Sequence, residues 1–397
     1  MPSSLEGRRL WIVGIGGAGM SAYALLAHAW GAEVSGWDRA RTPYVQGLEQ
    51  AGISVVYDAE PVDPPADAEV YVSTAFADRV PGRPRAELLA ELVSLRPAIV
   101  VAGAHGKTTT TAMIAFSLDR LGLDPAFLIG GWIPQLGGNA GAGSGWLVVE
   151  GDESDRSLAS LRPRIAVLLN VDLDHHTTFA SRAEVEALYE KWLATVPKVL
   201  RAPDLAPLDV ELGVAGEHNR RNAAAAVAAL ELAGVARPDA ERVIVEFRGA
   251  GRRLEARGEA AGVAVVDDYA HHPREIEAAI AAVRERTEGK VLVLFQPHLY
   301  SRTRHLVYEF ATALAFADVV CVTDVYRARE EPLAGVSGKL IVDALVDRRP
   351  GMPVGWAPDV EAGARLVAAR ARAGDTILTL GAGDVDRAVP LLLEQLR

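Results

Sequence analysis

Residues 10–19 read LWIVGIGGAG, and this stretch decides the fold class. An apolar run, Leu10 to Val13, ends in a glycine-rich turn, and an alanine-rich segment follows. Four glycines would weaken a membrane-spanning or signal helix by about 1 kcal/mol each, whereas they suit a tight turn between a strand and a helix. A second strand-like run, residues 33–38, follows where a signal peptide would have its cleavage site. We therefore predict a strand, a turn and a helix of an α/β fold, and no membrane segment.

The same alternation continues along the whole chain. Short apolar runs, glycine-rich turns, and alanine- and leucine-rich segments follow one another. Such alternation is typical of parallel sheets with crossover helices. We predict an α/β fold with three α/β units in series, divided near residues 96 and 247. The stretch Gly137 to Gly145, GGNAGAGSG, is predicted to be a mobile surface loop, and a plain connector without a function is the alternative.

Composition and charge exclude several classes of protein. Half of the 397 residues are apolar and 23% are charged, which excludes a disordered or collagen-like chain. The single cysteine, Cys321, excludes an internal disulfide and favours a reducing compartment, so we expect a cytoplasmic protein. The formal net charge is −11 and there is no basic stripe, which argues against a nucleic-acid partner. Small anionic ligands need only a local site, so they remain compatible with this acidity.

The first glycine turn matches the pattern G-x-G-x-x-G, from Gly14 to Gly19, and Asp38 ends the next strand-like run. Glycines let the backbone approach a diphosphate at a helix N-terminus, and an acidic residue at this position accepts from a ribose hydroxyl. The pattern favours a dinucleotide or sugar-nucleotide site. The alternative is a tight turn whose glycines only permit close packing. The motif does not choose the nucleotide, so a Rossmann-type dehydrogenase stays open at this point.

A second turn, residues 102–111, reads AGAHGKTTTT between an apolar run and a helical segment. Gly-Lys-Thr in this context is the core of a phosphate-binding loop, in which Lys107 bridges the terminal phosphates and the Thr108 hydroxyl reaches Mg²⁺. The leading glycine of the general motif, expected at Val101, is displaced to Gly103. We predict a nucleoside triphosphate site, with a solvated loop lysine as the alternative. We also expect Lys107 to contribute little to packing, and a dehydrogenase would leave this turn without a purpose.

Acidic and histidine residues cluster where two further strand-like runs end. Glu150 follows LVV, and His175 comes shortly after IAVLL. Ligands bind at the carboxyl ends of parallel strands, where a carboxylate and an imidazole can hold Mg²⁺ against phosphates. The alternative is a solvated helix N-terminus, which we expect for some of Asp152, Glu153 and Asp155. A zinc site is a lesser alternative, because the expected ligand spacing is lacking.

Two polar clusters follow strand-like runs of the third unit. Asp268 opens the cluster DYAHHP, and His298 opens the cluster HLYSRTR. One cluster alone would be an exposed helix start, but two at successive strand ends indicate a substrate-binding face. We expect the two strands to be adjacent, which would place both clusters on one rim of the sheet. Arg252 and Arg253 precede them, and arginine suits phosphate or carboxylate groups.

Ten motifs, in order along the chain, resemble those of the Mur ligase family. They are GIGGAGMS, PRAELLAEL, GAHGKTTTTAM, EGDESD, NVDLDHH, HNRRNAAAAVA, FRGAGRRLE, VDDYAHHP, FQPHLYSRTR and TDVY. The resemblance covers nearly the whole chain. The number and order of the motifs make it far more specific than either glycine turn alone.

The resemblance implies a fold and an activity. It implies a Rossmann-like UDP-sugar-binding domain (1–96), a central P-loop ATP-binding domain with a parallel sheet (97–247) and a Rossmann-like substrate and amino-acid domain (248–397). It implies an ATP- and Mg²⁺-dependent ligase that joins L-alanine to UDP-N-acetylmuramate through an acyl phosphate, in peptidoglycan synthesis. A ligase of the same family that recycles murein tripeptide, and a non-catalytic nucleotide-binding relative, are the alternatives. The glycine-rich first turn argues against a folylpolyglutamate synthetase.

The resemblance also assigns residues, motif by motif. The UDP-sugar would contact Gly14, Gly16, Gly17, Ala18, Gly19, Asp38, Ser73 and Thr74. ATP would contact Gly103, Ala104, His105, Gly106, Lys107, Thr108, Thr109, His218, Asn219, Asn222, Arg253 and Asp268. Magnesium would be held by Thr108, Glu150 and His175, and the sugar acid or amino acid by Tyr269, His271, His298 and Arg302. Lys107 and Arg253 would stabilise charge during the reaction, and His271 is the candidate general base.

The sequence departs from the family pattern at three places. Leu299 stands where these ligases commonly carry a basic residue. Only 42 residues separate His175 from His218, so we expect a reduced accessory sheet in the central domain. The segment between Ser73 and Pro84 is also short. The motifs themselves are intact, so we expect activity, with L-alanine as the preferred amino acid.

Overall fold

The computed structural model describes residues 4–42, 44–173, 178–328 and 330–397. Its strands form three sheets with helices between them, which confirms the predicted α/β fold class. The chain folds as two compact units. The first unit holds the described residues up to Leu173 together with Ser181–Glu211 and Arg221–Arg248, and the second unit holds the remaining described residues. Within the described part of the chain, no helix is both long enough and apolar enough to cross a membrane. The domain boundaries near residues 96 and 247 stay a prediction.

The first sheet contains the first glycine turn. Its strands are β1 (Arg9–Val13), β2 (Glu33–Asp38), β3 (Ser54–Tyr57), β4 (Glu69–Val72) and β5 (Arg83–Pro84), and its helices are α1 (Ala18–Ala29), α2 (Val45–Gln50) and α3 (Arg85–Leu95). The strands are parallel, in the order β3-β2-β1-β4-β5. The chain runs outward from β1 first to one side and then to the other. The turn after β1 therefore lies at the point where ligands bind in open α/β sheets.

The second sheet belongs to the same compact unit. Its strands are β6 (Ala98–Ala102), β7 (Ala126–Ile133), β8 (Gly138–Ala142), β9 (Leu147–Glu150), β10 (Ile165–Leu168) and β11 (Lys198–Arg201), and the helices are α4 (Lys107–Arg120), α5 (Arg182–Leu193), α6 (Glu217–Ala233) and α7 (Arg237–Ile244). The strand order is β11-β10-β6-β9-β7-β8, and only the pairing of β7 with β8 is antiparallel. All five residues of β6 are buried, as expected for a strand covered on both faces. The second glycine turn follows β6, between β10 and β9.

The prediction of a mobile loop at residues 137–145 is wrong. Five of these residues form the edge strand β8. Asn139 is buried, and its side-chain amide donates to the carbonyl of Ala18 at 3.1 Å. A side chain at Gly141 would overlap the ring of Phe127 on the neighbouring strand. Gly141 therefore permits close packing with the neighbouring strand rather than mobility.

The third sheet lies in the second unit. Its strands are β12 (Glu255–Ala260), β13 (Val263–Asp268), β14 (Val291–Phe295), β15 (Val319–Val322), β16 (Val354–Trp356) and β17 (Thr376–Leu380), and the helices are α8 (Pro273–Arg284), α9 (Tyr300–His305), α10 (Val307–Leu314), α11 (Lys339–Arg348), α12 (Val360–Ala368) and α13 (Ala388–Gln395). The order is β12-β13-β17-β14-β15-β16, and only β12 is antiparallel to its neighbour. The expected adjacency of β13 and β14 is wrong, because β17 inserts between them.

Local sequence explains where helices of the third sheet begin and end. Helix α8 has Pro273 at its first position, and the Glu275 carboxylate accepts from the backbone N–H groups of His271 and His272. Such an arrangement satisfies donors that a helix start leaves open. Residues 300–314 form two helices, α9 and α10, because the backbone of Leu306 between them leaves the helical conformation (φ −115°, ψ 24°).

Candidate functional site

The first glycine turn is held in shape by Asp38. Gly14 has a φ of 78°, and the N–H of Gly16 donates to Oδ2 of Asp38 at 2.9 Å. The Thr42 hydroxyl donates to the carbonyl of Gly16. Asp38 is only 7% exposed, and its Oδ1 accepts from the N–H of Ala40 at 3.3 Å. Both oxygens of Asp38 therefore accept backbone N–H groups, and its contact with a ribose hydroxyl stays a prediction.

The other residues predicted for the first turn lie around the end of β1. The N–H of Ser73 donates to the carbonyl of Val13, and a Cβ on Gly14 would lie 2.5 Å from the Ser73 hydroxyl oxygen. Thr74 follows at the surface. Helix α1 begins at Ala18, one residue after Gly17, so its first N–H groups have no partner within the helix. This arrangement can accept an anionic group beside the turn.

The second glycine turn contains two glycines with positive φ, and an asparagine side chain hydrogen-bonds to its backbone. Gly103 and Gly106 have φ values of 137° and 84°, which other residues rarely adopt. Asn170, which follows β10, accepts from the N–H of His105 and donates to its carbonyl, both at 2.9 Å. A Cβ on Gly106 would lie 2.5 Å from Oδ1 of Asn222. The turn therefore has a fixed shape and no room for a side chain at Gly106.

Lys107 at the start of α4 is paired, and its side chain is only 15% exposed. Its Nζ donates to the carbonyl of Gly103 at 2.6 Å and to both carboxylate oxygens of Glu153 at 3.1 Å. Burial acts to lower the pKa of Lys107, but the carboxylates of Glu153, Asp152 and Glu150 together hold the pKa above its usual value. Lys107 is therefore a cation, and the expectation that it contributes little to packing is wrong.

Oxygen atoms suited to a magnesium ion lie beside the turn. The Thr108 hydroxyl is 3.0 Å from both carboxylate oxygens of Glu150, and one of these oxygens accepts from the N–H of Gly130 at 2.8 Å. Mg²⁺ prefers oxygen ligands, so Thr108 and Glu150 fit this ion. His175, the third predicted ligand, lies outside the described residues. Thr109, next to Thr108, is buried in the helix.

The acidic residues after β9 have partners that the sequence did not reveal. Glu153, weighed above as a solvated helix start, is 3% exposed and holds Lys107. Asp152 and Asp155 both pair with the guanidinium of Arg85. The alternative of a solvated helix N-terminus is therefore wrong for Glu153. It holds in part for the other two acids, because Asp155 accepts from the N–H of Ser157 at the start of a short 3-10 helix and the Asp152 side chain is 39% exposed. Their position directly after a buried strand, next to Glu150, was the only signal for this role.

In the second unit, Asp268 and Arg253 lie together at the end of β13. Oδ2 of Asp268 accepts from the N–H of Leu254 and Oδ1 from the N–H of Ala270, both at 2.7 Å. Burial raises the pKa of Asp268 to about 6, although the Arg253 charge acts to lower it. The Arg253 guanidinium lies 5.1 Å from the centre of the Tyr269 ring. Three predicted residues thus form one cluster.

His218 and Asn219 lie in the first turn of α6, and His218 is close enough to Arg253 for that charge to act on its pKa. Burial, with the nearby Arg253 charge, lowers the pKa of His218 to about 4, so its imidazole is neutral at pH 7. A Cβ on Gly216 would lie 2.7 Å from the His218 ring. The Asn219 amide donates to the carbonyl of Ala215 at 2.6 Å. The hydrogen bond holds the Asn219 side chain at the start of α6, and the His218 ring leaves no room for a side chain at Gly216.

Aromatic and basic side chains connect the two predicted substrate clusters. The His271 ring lies 5.4 Å from the Tyr269 ring and 5.7 Å from the His298 ring, measured between centres. His298 stacks on Tyr326 at 5.7 Å, and Nη1 of Arg302 is 3.3 Å from Nδ1 of His298. The clusters therefore meet on one rim, although β17 separates their strands. Tyr326 is a site residue that sequence reasoning missed, and the TDVY motif was its signal.

Leu299 lies in the same rim in a strained conformation. Its φ is 71°, an uncommon value for a residue with a side chain, and its N–H donates to the carbonyl of Tyr326 at 2.9 Å. Strain of this kind persists where surrounding structure determines it, and it clusters at functional sites. Leu299, which stands where these ligases commonly carry a basic residue, therefore lies within the rim formed by the two polar clusters.

Two family models match the chain. The model described as Mur ligase family, catalytic domain, matches residues 9–96, and the model described as Mur ligase, glutamate ligase domain, matches residues 252–383. The fold and motifs define an α/β protein with two glycine-rich turns of the phosphate-binding type. The chain belongs to the Mur ligase family, which removes the dehydrogenase alternative.

Curated relatives match over their full length. The chain is 38% identical to the UDP-N-acetylmuramate–L-alanine ligase of Rubrobacter xylanophilus, covering 98% of this chain and 100% of that protein. It is 38% identical to the ligase of the same name from Streptomyces coelicolor, covering 100% and 99%. The crystal structure of the UDP-N-acetylmuramate–alanine ligase of Thermotoga maritima matches with a TM-score of 0.80 and 26% identity, covering 98% of both chains. A murein peptide ligase of Psychrobacter arcticus has a TM-score of 0.66 at 24% identity, which shows a shared fold alone.

Proposed function

We propose that this chain is an ATP-dependent ligase that joins L-alanine to UDP-N-acetylmuramate in peptidoglycan precursor synthesis. The observation that carries the proposal is 38% identity over the full length of ligases with this activity. The phosphate-type turn with Lys107, Thr108 and Glu150 in contact supports the use of ATP. We also propose a cytoplasmic location, because the nucleotide substrates are cytoplasmic.

The two glycine turns divide the substrates between them in this proposal. The first turn holds the UDP-sugar through Gly14, Gly16, Gly17, Ala18, Gly19, Asp38, Ser73 and Thr74. The second holds ATP through the residues from Gly103 to Thr109, with Asn222. The family motifs assign the same nucleotide to His218, Asn219, Arg253 and Asp268. Helix N-termini and glycine backbone suit both groups because both ligands are anionic. Thr108 and Glu150, with His175, would hold magnesium, which when bound neutralises phosphate charge.

The proposed reaction has two steps. An oxygen of the lactyl carboxylate attacks the γ-phosphorus of ATP, the bond to the bridging oxygen breaks, and ADP leaves an acyl phosphate. The deprotonated amine of L-alanine then attacks the acyl carbon, and phosphate leaves as the amide forms. Lys107 and Arg253 stabilise the negative charge, so most of the catalysis comes from positioning and electrostatics.

In the proposed reaction, His271 accepts the proton that the amino group of L-alanine loses before it attacks the acyl carbon. Its Nδ1 lies 2.9 Å from the carbonyl oxygen of Tyr269, which can only accept. Nδ1 therefore carries the proton, and Nε2 is the basic nitrogen. Tyr269, His298 and Arg302 would contact the sugar acid or the amino acid on the same rim.

Phosphate release tests this proposal directly. With ATP, Mg²⁺ and UDP-N-acetylmuramate, L-alanine should raise the rate most. Glycine lacks one methyl group, which is worth about 1–3 kcal/mol, so glycine should be a poor but detectable substrate. D-Glutamate should have almost no effect, because Leu299 supplies no cation for its side chain. Faster release with D-glutamate or with a preformed tripeptide would favour another Mur ligase activity, and binding of both nucleotides without release would favour a non-catalytic relative.

A further inference from the structure

Arg85 opens helix α3 within the motif PRAELLAEL, to which the proposed function assigns no role. Its Nε and Nη2 donate to Oδ2 of Asp155 at 3.0 and 2.7 Å, and Nη2 also donates to Oδ2 of Asp152 at 3.0 Å. The Arg85 side chain is 19% exposed. One guanidinium, attached to the first sheet, thus holds two carboxylates that follow a strand of the second sheet, within the same compact unit.

The same guanidinium lies against the first glycine turn. A Cβ built on Gly19 would lie 3.5 Å from Nη1 of Arg85 and 4.0 Å from the hydroxyl oxygen of Tyr23. Burial raises the pKa of the Tyr23 hydroxyl to about 12, although the Arg85 charge acts to lower it. Gly19 and Tyr23 both belong to α1, whose N-terminal turn is the proposed diphosphate site. Arg85 therefore faces the helix that would hold the UDP-sugar.

The two carboxylates on Arg85 flank the residue that holds the ATP lysine. Oδ1 of Asp152 accepts from the N–H of Ser154, and Oδ1 of Asp155 accepts from the N–H of Ser157, so both aspartates also shape the loop backbone. Between them, Glu153 pairs with Lys107 at 3.1 Å. Arg85 thus contacts the residues on both sides of Glu153, which is the partner of Lys107.

Charge attraction would transmit an effect from the first glycine turn to the second. An anionic diphosphate beside α1 attracts the Arg85 guanidinium and weakens its hold on the acidic loop. The loop backbone that carries Glu153 would then be freer to move, which would let the Lys107 ammonium turn from Glu153 to the phosphates of ATP. Because the groups are partly buried, such charge interactions are stronger than at the surface.

We propose that Arg85 is a positioning residue that couples the two glycine turns, so that a UDP-sugar bound at the first turn tightens nucleotide binding at the second. The inference rests on the proposed function, because it needs both turns to bind their nucleotides. Coupling of two sites is a free energy, and it is reciprocal between the two ligands. It is therefore measurable without turnover.

The test is the affinity for ADP, by calorimetry, with and without saturating UDP-N-acetylmuramate. In the wild-type protein the UDP-sugar should tighten ADP binding at least about fivefold. In Arg85→Gln the ratio should fall to about one, while each ligand alone binds within about threefold of wild type. Arg85→Lys keeps the charge but loses the two-pronged contact, so its ratio should be intermediate.

Two further variants make the test specific. Arg83→Gln is the matched control, because Arg83 is an exposed arginine two residues away that pairs with Glu69 and Glu87; its ratio should equal that of wild type. Asp155→Asn keeps Arg85 and removes its bidentate partner, so it should also lower the ratio, and it serves if Arg85→Gln does not fold.

The outcomes separate the two claims. A wild-type ratio that persists in Arg85→Gln and Asp155→Asn, or that falls equally in Arg83→Gln, overturns the role of Arg85 and leaves the proposed function standing. Binding of both ligands to the wild type with a ratio of one does the same. Failure of UDP-N-acetylmuramate or ADP to bind the wild type overturns the proposed function, and the coupling with it.

Discussion

At the scale of single residues, the pair of Lys107 and Glu153 dominates the phosphate turn. Without a bound ligand, a lysine in such a turn is expected to be exposed to solvent. Here the Lys107 ammonium pairs with the buried carboxylate of Glu153. Taking two charges from water is costly, and the mutual attraction offsets that cost only while both partners are present. The same lysine therefore has a part in stability and, in the proposed mechanism, a part in catalysis.

Lys107→Ala separates these two parts. We expect phosphate release to fall by at least about a hundredfold, the scale of losing one contact to transition-state charge. We also expect the free energy of unfolding to fall by about 3–5 kcal/mol, because Glu153 stays buried without its cation. Chemical denaturation and the phosphate assay measure the two effects on the same preparation.

Two companion variants identify the cause. Adding Glu153→Gln to Lys107→Ala should restore much of the stability and none of the activity, because the buried charge is then gone. Lys191→Ala, at an exposed lysine of α5, should leave both quantities unchanged. A stable Lys107→Ala protein with near-normal phosphate release would contradict both roles.

At the scale of elements, strand β8 shows how glycine can mislead. Nine residues rich in glycine suggest a mobile connector, but the register with β7 and the buried Asn139 make this a packed edge strand. A packed strand differs from a mobile loop in the contacts that its residues make with the neighbouring strand. Those contacts involve side chains of β7, which the sequence of β8 does not contain. Two glycines of β8 differ in this respect, and they provide a test.

Gly141→Ala and Gly138→Ala should differ in stability. At Gly141 an added methyl group overlaps the Phe127 ring, and overpacking of this kind costs about 1–3 kcal/mol. At Gly138 the nearest atom lies 3.6 Å away and φ is not positive, so the change should stay within about 0.5 kcal/mol. Thermal unfolding of both variants measures this difference. Equal stability of the two would indicate that residues 138–142 are a loop after all.

The start of helix α6 should make stability depend on pH. Burial and the Arg253 charge lower the pKa of His218 to about 4, so the folded protein binds fewer protons there than the unfolded chain, whose histidine has its usual pKa near 6.5. The contribution of His218 to stability is therefore full above about pH 6.5 and is lost as the pH falls towards 4.

His218→Gln, which does not titrate, should lack this loss. Asp268 titrates in an overlapping range with the opposite sign, so the informative quantity is the difference in unfolding free energy between wild type and variant. Denaturation at several pH values from 4 to 7.5 should show wild type losing stability relative to the variant as the pH falls. Parallel curves would show that His218 is not buried as neutral imidazole.

At the scale of the whole molecule, the sequence predicted the features that depend on residues close together in the chain, namely strands, turns and helices. Apolar runs followed by glycine turns predicted the strands β1 and β6 and the helices after them, because both signals are local. The turns' glycines were also predictable, since Gly14, Gly103 and Gly106 need positive φ values. The roles of the individual site residues stay predictions, although the structure brings most of them together within each unit.

The sequence could not predict what depends on partners far along the chain. Arg85 meets Asp155 across 70 residues, and Lys107 meets Glu153 across 46. The insertion of β17 between β13 and β14 is also a matter of tertiary order, because nothing in either strand's sequence encodes its neighbour. Pairing of this kind decides which acidic residues are solvated and which are buried, so the burial of Glu153 could not be predicted, and the role of Glu150 as a magnesium ligand stays a prediction.

The proposed reaction makes an amide through an acyl phosphate. The most direct measurement uses UDP-N-acetylmuramate labelled with ¹⁸O in its lactyl carboxylate, together with ATP, Mg²⁺ and L-alanine. Mass spectrometry should find one ¹⁸O atom in the released phosphate, and ADP and the L-alanine amide of the UDP-sugar in equal amounts. Unlabelled phosphate, or label in AMP with release of diphosphate, would contradict the account.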